Sequence, residues 1–152
     1  MKRLLFTLAT CCVMCACEQK TEMNPFFTEF QTEYGAPDFT KIRLEHYEPA
    51  FLKGIEEQNA EIKAIVDNPE EPTFENTIVA LDKSGGILAR VSGVFFALTE
   101  ADTNDSLTAL NEKMAPVLSE HSDNIYLNQD LYKRVAAVSY THLRAHETRR
   151  HL

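Results

Sequence analysis

The chain has 152 residues, of which 44% are hydrophobic and 25% are charged, a composition that suits one ordinary globular domain. Its formal net charge is −8, and residues 1–17 and 139–152 each contribute +2, so that residues 18–138 carry −12. Nucleic-acid binding needs clustered Lys and Arg to neutralise phosphates, so this acidic body predicts no nucleic-acid partner.

The first 16 residues have the pattern of a secretory leader. Lys2 and Arg3 precede an apolar run over residues 4–14. This run of about 11 residues is too short to span a bilayer as a helix. Polar residues begin at Glu18, so residues 1–16 are interpreted as a lipoprotein signal peptide.

All four cysteines lie in or beside this leader, at positions 11, 12, 15 and 17. Ala16 before Cys17 resembles a bacterial lipoprotein processing site, in which the cysteine thiol takes a diacylglyceryl group. Cys17 is therefore the predicted lipidation site, and Cys11 is the alternative, with the less suitable Thr10 before it. Stable anchoring needs more than one acyl chain. We expect a chain anchored to a membrane of the bacterial cell envelope, facing the periplasm or the cell surface.

Residues 17–40 are polar, with few periodic apolar positions, and are predicted to form a tether and a lead-in segment. The first helix follows, because apolar residues then recur at three- and four-residue steps. The predicted buried face comprises Tyr47, Phe51, Ile55, Gln58, Ile62, Ile65 and Val66. Asn68-Pro69 should end this helix, since a residue before proline avoids the α conformation.

The second predicted helix begins at Thr73, whose hydroxyl can cap it, and its apolar face runs as far as Leu98. Gly85-Gly86 lies in its middle, where glycines favour close helix packing, with a hinge as the alternative. Phe95 and Phe96 could form a platform for a peptide side chain, but aromatic residues at helical spacing favour the core.

The third helix should begin at Asn104 or Asp105 and be kinked or broken by Pro116. His121 follows and is interpreted as a packing or surface residue rather than a ligand. Asn128 should cap a last helix. Because no strand-like alternation occurs, residues 41–138 are predicted to be an all-α region.

Residues 139–152 differ from the body in charge sign and resemble translated sequencing-adapter read-through, so they are predicted to be a non-native tail. The tail contains His146-Glu147, but the next histidine is His151, at i+5 rather than i+4. Histidines at i and i+4 share one helix face and can bind zinc together, whereas the residue at position 150 is Arg150. His142 and His146 have that spacing but could hold a metal only weakly, so no metal site is predicted.

Several segments of the body together resemble a known family. They are residues 24–27 (NPFF), 72–78 (PTFENTI), 94–99 (VFFALT), 103–105 (TND) and 124–128 (NIYLN). This set is similar to the N-terminal helical region of the thimet-oligopeptidase-like zinc metallopeptidases, especially the bacterial peptidyl-dipeptidases. The resemblance covers roughly residues 24–137.

The resemblance implies a larger, mostly helical enzyme with a deep channel, in which Zn²⁺ activates water to release dipeptides from the C-terminus of short peptides. The family's His-Glu-x-x-His motif lies downstream of the region that this chain resembles. We therefore assign no catalytic, cofactor-binding or metal-binding residue, and we expect this fragment to be inactive and to bind no zinc. The alternatives are a lipid-anchored helical adaptor without enzymatic activity and a zinc buffer that uses the tail histidines.

Overall fold

Helices account for every regular element in the part of the chain that the structure describes. The computed structural model describes the backbone of residues 23–150 and the side chains of residues 23–140. Two 3₁₀ turns, Pro25–Phe27 and Glu33–Gly35, precede the helices. The helical elements are α1 (Leu44–Val66), a π-helical segment (Phe74–Val79), α2 (Ala80–Lys83), α3 (Gly86–Ala101), α4 (Asp105–Tyr126) and α5 (Gln129–Arg150). The all-α prediction is confirmed for these residues.

Helix α1 is the central element, and α3, α4 and α5 all pack against it. Its buried face is close to the predicted one, and the helix ends before Asn68-Pro69 as expected. Its buried residues are Tyr47, Ala50, Phe51, Gly54, Ile62 and Ile65. The sequence pattern did not reveal the role of Gly54. A Cβ added there would lie 2.7 Å from the backbone N of Leu88, so this glycine lets α1 and α3 approach closely.

The second predicted helix is not continuous. Thr73 does cap it, since Thr73 Oγ1 accepts from Asn76 N at 3.1 Å and Asn76 Oδ1 accepts from Thr73 N at 2.8 Å. The helix then stops at Lys83, and Gly85 adopts a left-handed φ of +76° before α3 begins. Glycine adopts this left-handed conformation with little strain, so Gly85 allows the chain to break here.

The main core lies between the first half of α1, α3 and the first half of α4. It contains mostly aromatic and aliphatic side chains: Phe26, Tyr47, Ala50, Phe51, Val91, Val94, Phe95, Leu107, Leu110 and Met114. Phe26 comes from the lead-in segment and is fully buried. Arg90 Nη1 donates to the Phe26 carbonyl at 2.7 Å, and Asn24 Nδ2 donates to the His46 carbonyl at 2.8 Å. The lead-in residues from Asn24 to Phe26 are therefore docked on the core.

A second, smaller cluster joins the end of α1 to α5 through Ile62, Ile65 and Leu131. The start of α5 is capped as predicted, because Asn128 Oδ1 accepts from the backbone N of Asp130 at 3.1 Å and of Leu131 at 3.0 Å. Helix α4 continues through Pro116, so the predicted break does not occur.

Helix α5 also continues across the predicted join at residue 139, and the non-native tail stays a prediction. None of the helices in the described part of the chain is long and apolar enough to cross a membrane.

Candidate functional site

A groove opens between α3, α4 and α5 and exposes the middle of α1 at its floor. Its volume is about 600 Å³. The walls are mainly apolar, and none of the lining side chains is acidic, lysine or arginine. They are Gln58, Leu81, Leu88, Ser92, Phe96, Leu118, His121, Ser122, Ile125, Tyr126, Asn128, Leu131, Tyr132 and Val135.

Aromatic side chains at the rim of the groove are strongly exposed. The exposed fraction is 40% for Phe96, 84% for Tyr126 and 67% for Tyr132. The core assignment was thus right for Phe95, which is fully buried, and wrong for Phe96. Adjacent residues on a helix point about 100° apart, and here Phe95 faces the core whereas Phe96 faces the groove.

The floor of the groove is a chain of hydrogen bonds that links three elements. His121 Nε2 lies 2.7 Å from Gln58 Oε1, and Gln58 Nε2 lies 3.3 Å from Ser84 Oγ. Ser84 Oγ donates to the Leu81 carbonyl at 2.8 Å. Because the Gln58 amide donates to Ser84, its oxygen accepts from His121, whose Nε2 therefore carries the proton. The chain of bonds ties α1 and α4 to the break between α2 and α3.

Glu61 also stabilises the break between α2 and α3. Gly85 N donates to Glu61 Oε2 at 2.7 Å, which places a carboxylate at the N-terminus of α3. A negative charge there is favourable because the first N–H groups of a helix point outward unpaired. A Cβ added at Gly85 would lie 2.6 Å from Gln58 Nε2, so a larger residue would displace the end of the Gln58 side chain, and the left-handed φ at this position favours glycine independently.

His121 is buried, and this burial lowers the pKa of its imidazole. Burial disfavours the charged imidazolium, and no charged side chain lines the groove beside it to offset that cost. The neutral form is therefore the one that the fold stabilises. His121 is a packing residue, as the sequence predicted.

The lowered pKa of His121 predicts pH-dependent stability. Above about pH 6.5 the imidazole is neutral in both the folded and the unfolded chain. As the pH falls below that value the unfolded chain takes up the proton first, so the free energy of unfolding should decrease. Urea unfolding at pH 7.5 and 5.5 should show a smaller decrease for His121→Gln, in which a side-chain N–H can still reach Gln58. An equal decrease in the two proteins would contradict this role of His121.

This arrangement can bind apolar groups, but it contains no paired nucleophile and base.

Comparison with curated proteins identifies relatives of the chain. Over 118 residues the chain is 49% identical to the dipeptidyl carboxypeptidase of Escherichia coli (strain K12), and over 115 residues it is 46% identical to that of Salmonella typhimurium. The chain is a homologue of the dipeptidyl carboxypeptidases. Oligopeptidase A of Escherichia coli (strain K12) is a more distant relative, 28% identical over 110 residues.

The match covers most of this chain but only a small part of its relatives. The first two alignments include 78% and 76% of the chain, and each includes 17% of the dipeptidyl carboxypeptidase. The alignment with oligopeptidase A includes 72% of the chain and 16% of the relative. No protein-family model matches the chain.

The zinc site that the resemblance implies does not fit the described residues. No group of three or more His, Cys, Asp or Glu side chains in that part of the chain is arranged to hold a metal. His46 Nδ1 accepts from the backbone N of Arg43 at 3.1 Å near the start of α1, and His121 is hydrogen-bonded to Gln58 on the floor of the groove. A zinc ion bound by this chain would therefore need ligands outside this arrangement of described residues.

The other residues considered as sites lie beyond the described side chains. Cys17 and the alternative Cys11 fall within residues 1–22, outside the described part. His142 and His146 belong to α5, of which only the backbone is described there. The pairing of His121 with Gln58 was not predicted from the sequence, where the available signal was the position of Gln58 on the predicted buried face of α1.

Proposed function

We propose that this chain is the N-terminal helical region of a zinc metallopeptidase that releases dipeptides from the C-terminus of short peptides. The 49% identity to a dipeptidyl carboxypeptidase over 118 residues carries the proposal. The chain spans only 17% of the length of these relatives, which supports the proposal that it is part of a longer enzyme. The relatives found are dipeptidyl carboxypeptidases and oligopeptidases A, which favours a peptidase over a non-enzymatic adaptor.

The role we propose for this region is structural. The helices around α1 would form part of the wall that encloses the substrate channel. No group of three or more potential ligands among the described residues is arranged to hold a metal, so the zinc ligands and the catalytic glutamate would come from the rest of the enzyme. Bound zinc would supply an activated water for attack on the peptide bond.

The full-length product of the gene tests this proposal. We expect it to release dipeptides from a short peptide with a free C-terminus and to contain about one zinc ion per chain. Mass spectrometry of the products would identify dipeptides, and metal analysis after dialysis would count zinc. A matched peptide with an amidated C-terminus should be cleaved more slowly. Release of single amino acids, or activity in a metal-free protein, would contradict the proposed chemistry.

We also propose that the enzyme is a lipoprotein of the cell envelope, anchored through Cys17. The support is the apolar run that ends at Ala16-Cys17. When the gene is expressed in a bacterium with labelled fatty acid, the label should enter the wild-type chain and should be lost in Cys17→Ala. Cys11→Ala serves as the matched control and should still be labelled. The reverse pattern would move the anchor to Cys11.

A further inference from the structure

We propose that an apolar helix face from the remaining part of the same polypeptide docks in the groove between α3, α4 and α5. This inference rests on the proposed function, because it requires that the gene encodes a longer enzyme. It adds an internal docking surface and names the chemistry of its occupant.

The packing of the helices leaves this groove open. Helices α3, α4 and α5 all pack on α1, while the main contacts of α5 are with α1 and the π-helical segment. The two hydrophobic clusters are separate, one centred on Phe51 and Phe95 and the other on Ile62, Ile65 and Leu131. The groove lies over the gap between them, where Gln58 and His121 meet. One additional apolar element would bridge both clusters.

The rim of the groove is rich in exposed aromatic side chains, which are typical of a surface that binds another element. Phe96, Tyr126 and Tyr132 belong to three different helices, and all three line the one groove while remaining exposed. A contiguous apolar patch of this kind marks a binding surface more often than single exposed apolar residues do. The described part of the chain carries net negative charge, whereas the groove itself has no acidic lining residue. An apolar segment is therefore a better occupant than a cationic one.

The order of the elements favours the rest of the polypeptide as that occupant. Leu131, Tyr132 and Val135 in the first turns of α5 line the groove, so α5, the last described helix, forms one of the groove's walls. Helices joined by short connections pack antiparallel to their neighbours, and a helix that returned along α5 would pass over the groove. The relatives have about five-sixths of their length outside the matched region, which is ample sequence to supply such a helix.

Single cysteine reporters can test this directly, because all four cysteines precede residue 18 and can be replaced by serine in an unlipidated protein. Tyr132→Cys and Tyr126→Cys place a thiol on the rim of the groove. Tyr34→Cys is the control, since Tyr34 is 95% exposed and does not line the groove. Maleimide labelling rates are measured in the native 152-residue chain and in the native full-length product, each relative to its rate in urea.

We expect both rim thiols to react at least about tenfold more slowly in the full-length product than in the 152-residue chain, because they become accessible only through local opening. The Tyr34→Cys thiol should react at similar rates in both. Equal rim labelling in the two proteins overturns the proposal, as does a gene that ends at codon 152. Protection that grows with the concentration of the 152-residue chain would assign the groove to a second copy. Protection that appears only when a short peptide is added would assign it to substrate.

The labelling experiment and the dipeptide-release assay together separate this inference from the proposed function. A full-length product that protects the rim thiols but releases no dipeptides would leave the docking surface standing and overturn only the peptidase assignment. A product that releases dipeptides but leaves both rim thiols fully reactive would overturn only the docking surface.

Discussion

Replacing Phe95 by alanine should lower the free energy of unfolding by about 3–5 kcal/mol. The Phe95 ring is fully buried, and its centroid lies 5.3 Å from those of both Tyr47 and Phe51. Truncation would leave a cavity where α1 and α3 meet. Since a typical domain has only about 5–15 kcal/mol of stability, a loss of this size would remove much of it.

Phe96→Ala is the matched control, because it removes the same ring from the next position. Phe96 is partly exposed at the rim of the groove, so its truncation in the 152-residue chain should cost much less. Urea unfolding followed by helical circular dichroism would compare the two variants. Equal losses would contradict the assignment of Phe95 to the core and of Phe96 to the rim.

Replacing Gly54 by alanine should destabilise the fold by about 1–3 kcal/mol, although alanine has the higher helix propensity. The new Cβ would lie 2.7 Å from Leu88 N and 2.9 Å from Leu88 Cα. Both are backbone atoms, so α1 and α3 would have to move apart.

Gly93→Ala gives the opposite expectation within the same helix pair. A Cβ at Gly93 meets no atom within 4 Å, so this substitution should stabilise the chain by up to about 1 kcal/mol. The two variants should therefore shift the urea midpoint in opposite directions. A shift in the same direction for both would show that Gly54 does not set the spacing between α1 and α3.

Local patterns in the sequence were sufficient to predict much of the fold. The apolar periodicity of α1 predicted most of its buried face, and the side chains of Thr73 and Asn128 predicted two helix starts. These features depend on residues within one or two turns of each other, so a single sequence contains the information needed to recognise them.

The features that were missed depend on contacts between distant residues. The break after α2 is held by Gln58 and Glu61, which precede Ser84 and Gly85 by 26 and 24 positions. The close approach at Gly54 depends on Leu88, a residue of another helix. The groove arises from three helices that leave the middle of α1 uncovered, and no local pattern predicts such an opening.

The peptidase assignment came from the resemblance of several short segments rather than from any reactive residue. We propose that the catalytic groups implied by the family lie in sequence that this chain does not include. Under this proposal the 152-residue chain folds but does not cleave peptides, and the whole enzyme carries the chemistry.

The most direct test compares peptide cleavage by the purified 152-residue chain and by the full-length product, both supplied with zinc. We predict that the full-length product releases dipeptides and loses this activity when a chelator removes the metal, while the 152-residue chain releases none. Chelator-sensitive release of dipeptides by the 152-residue chain alone would contradict the account.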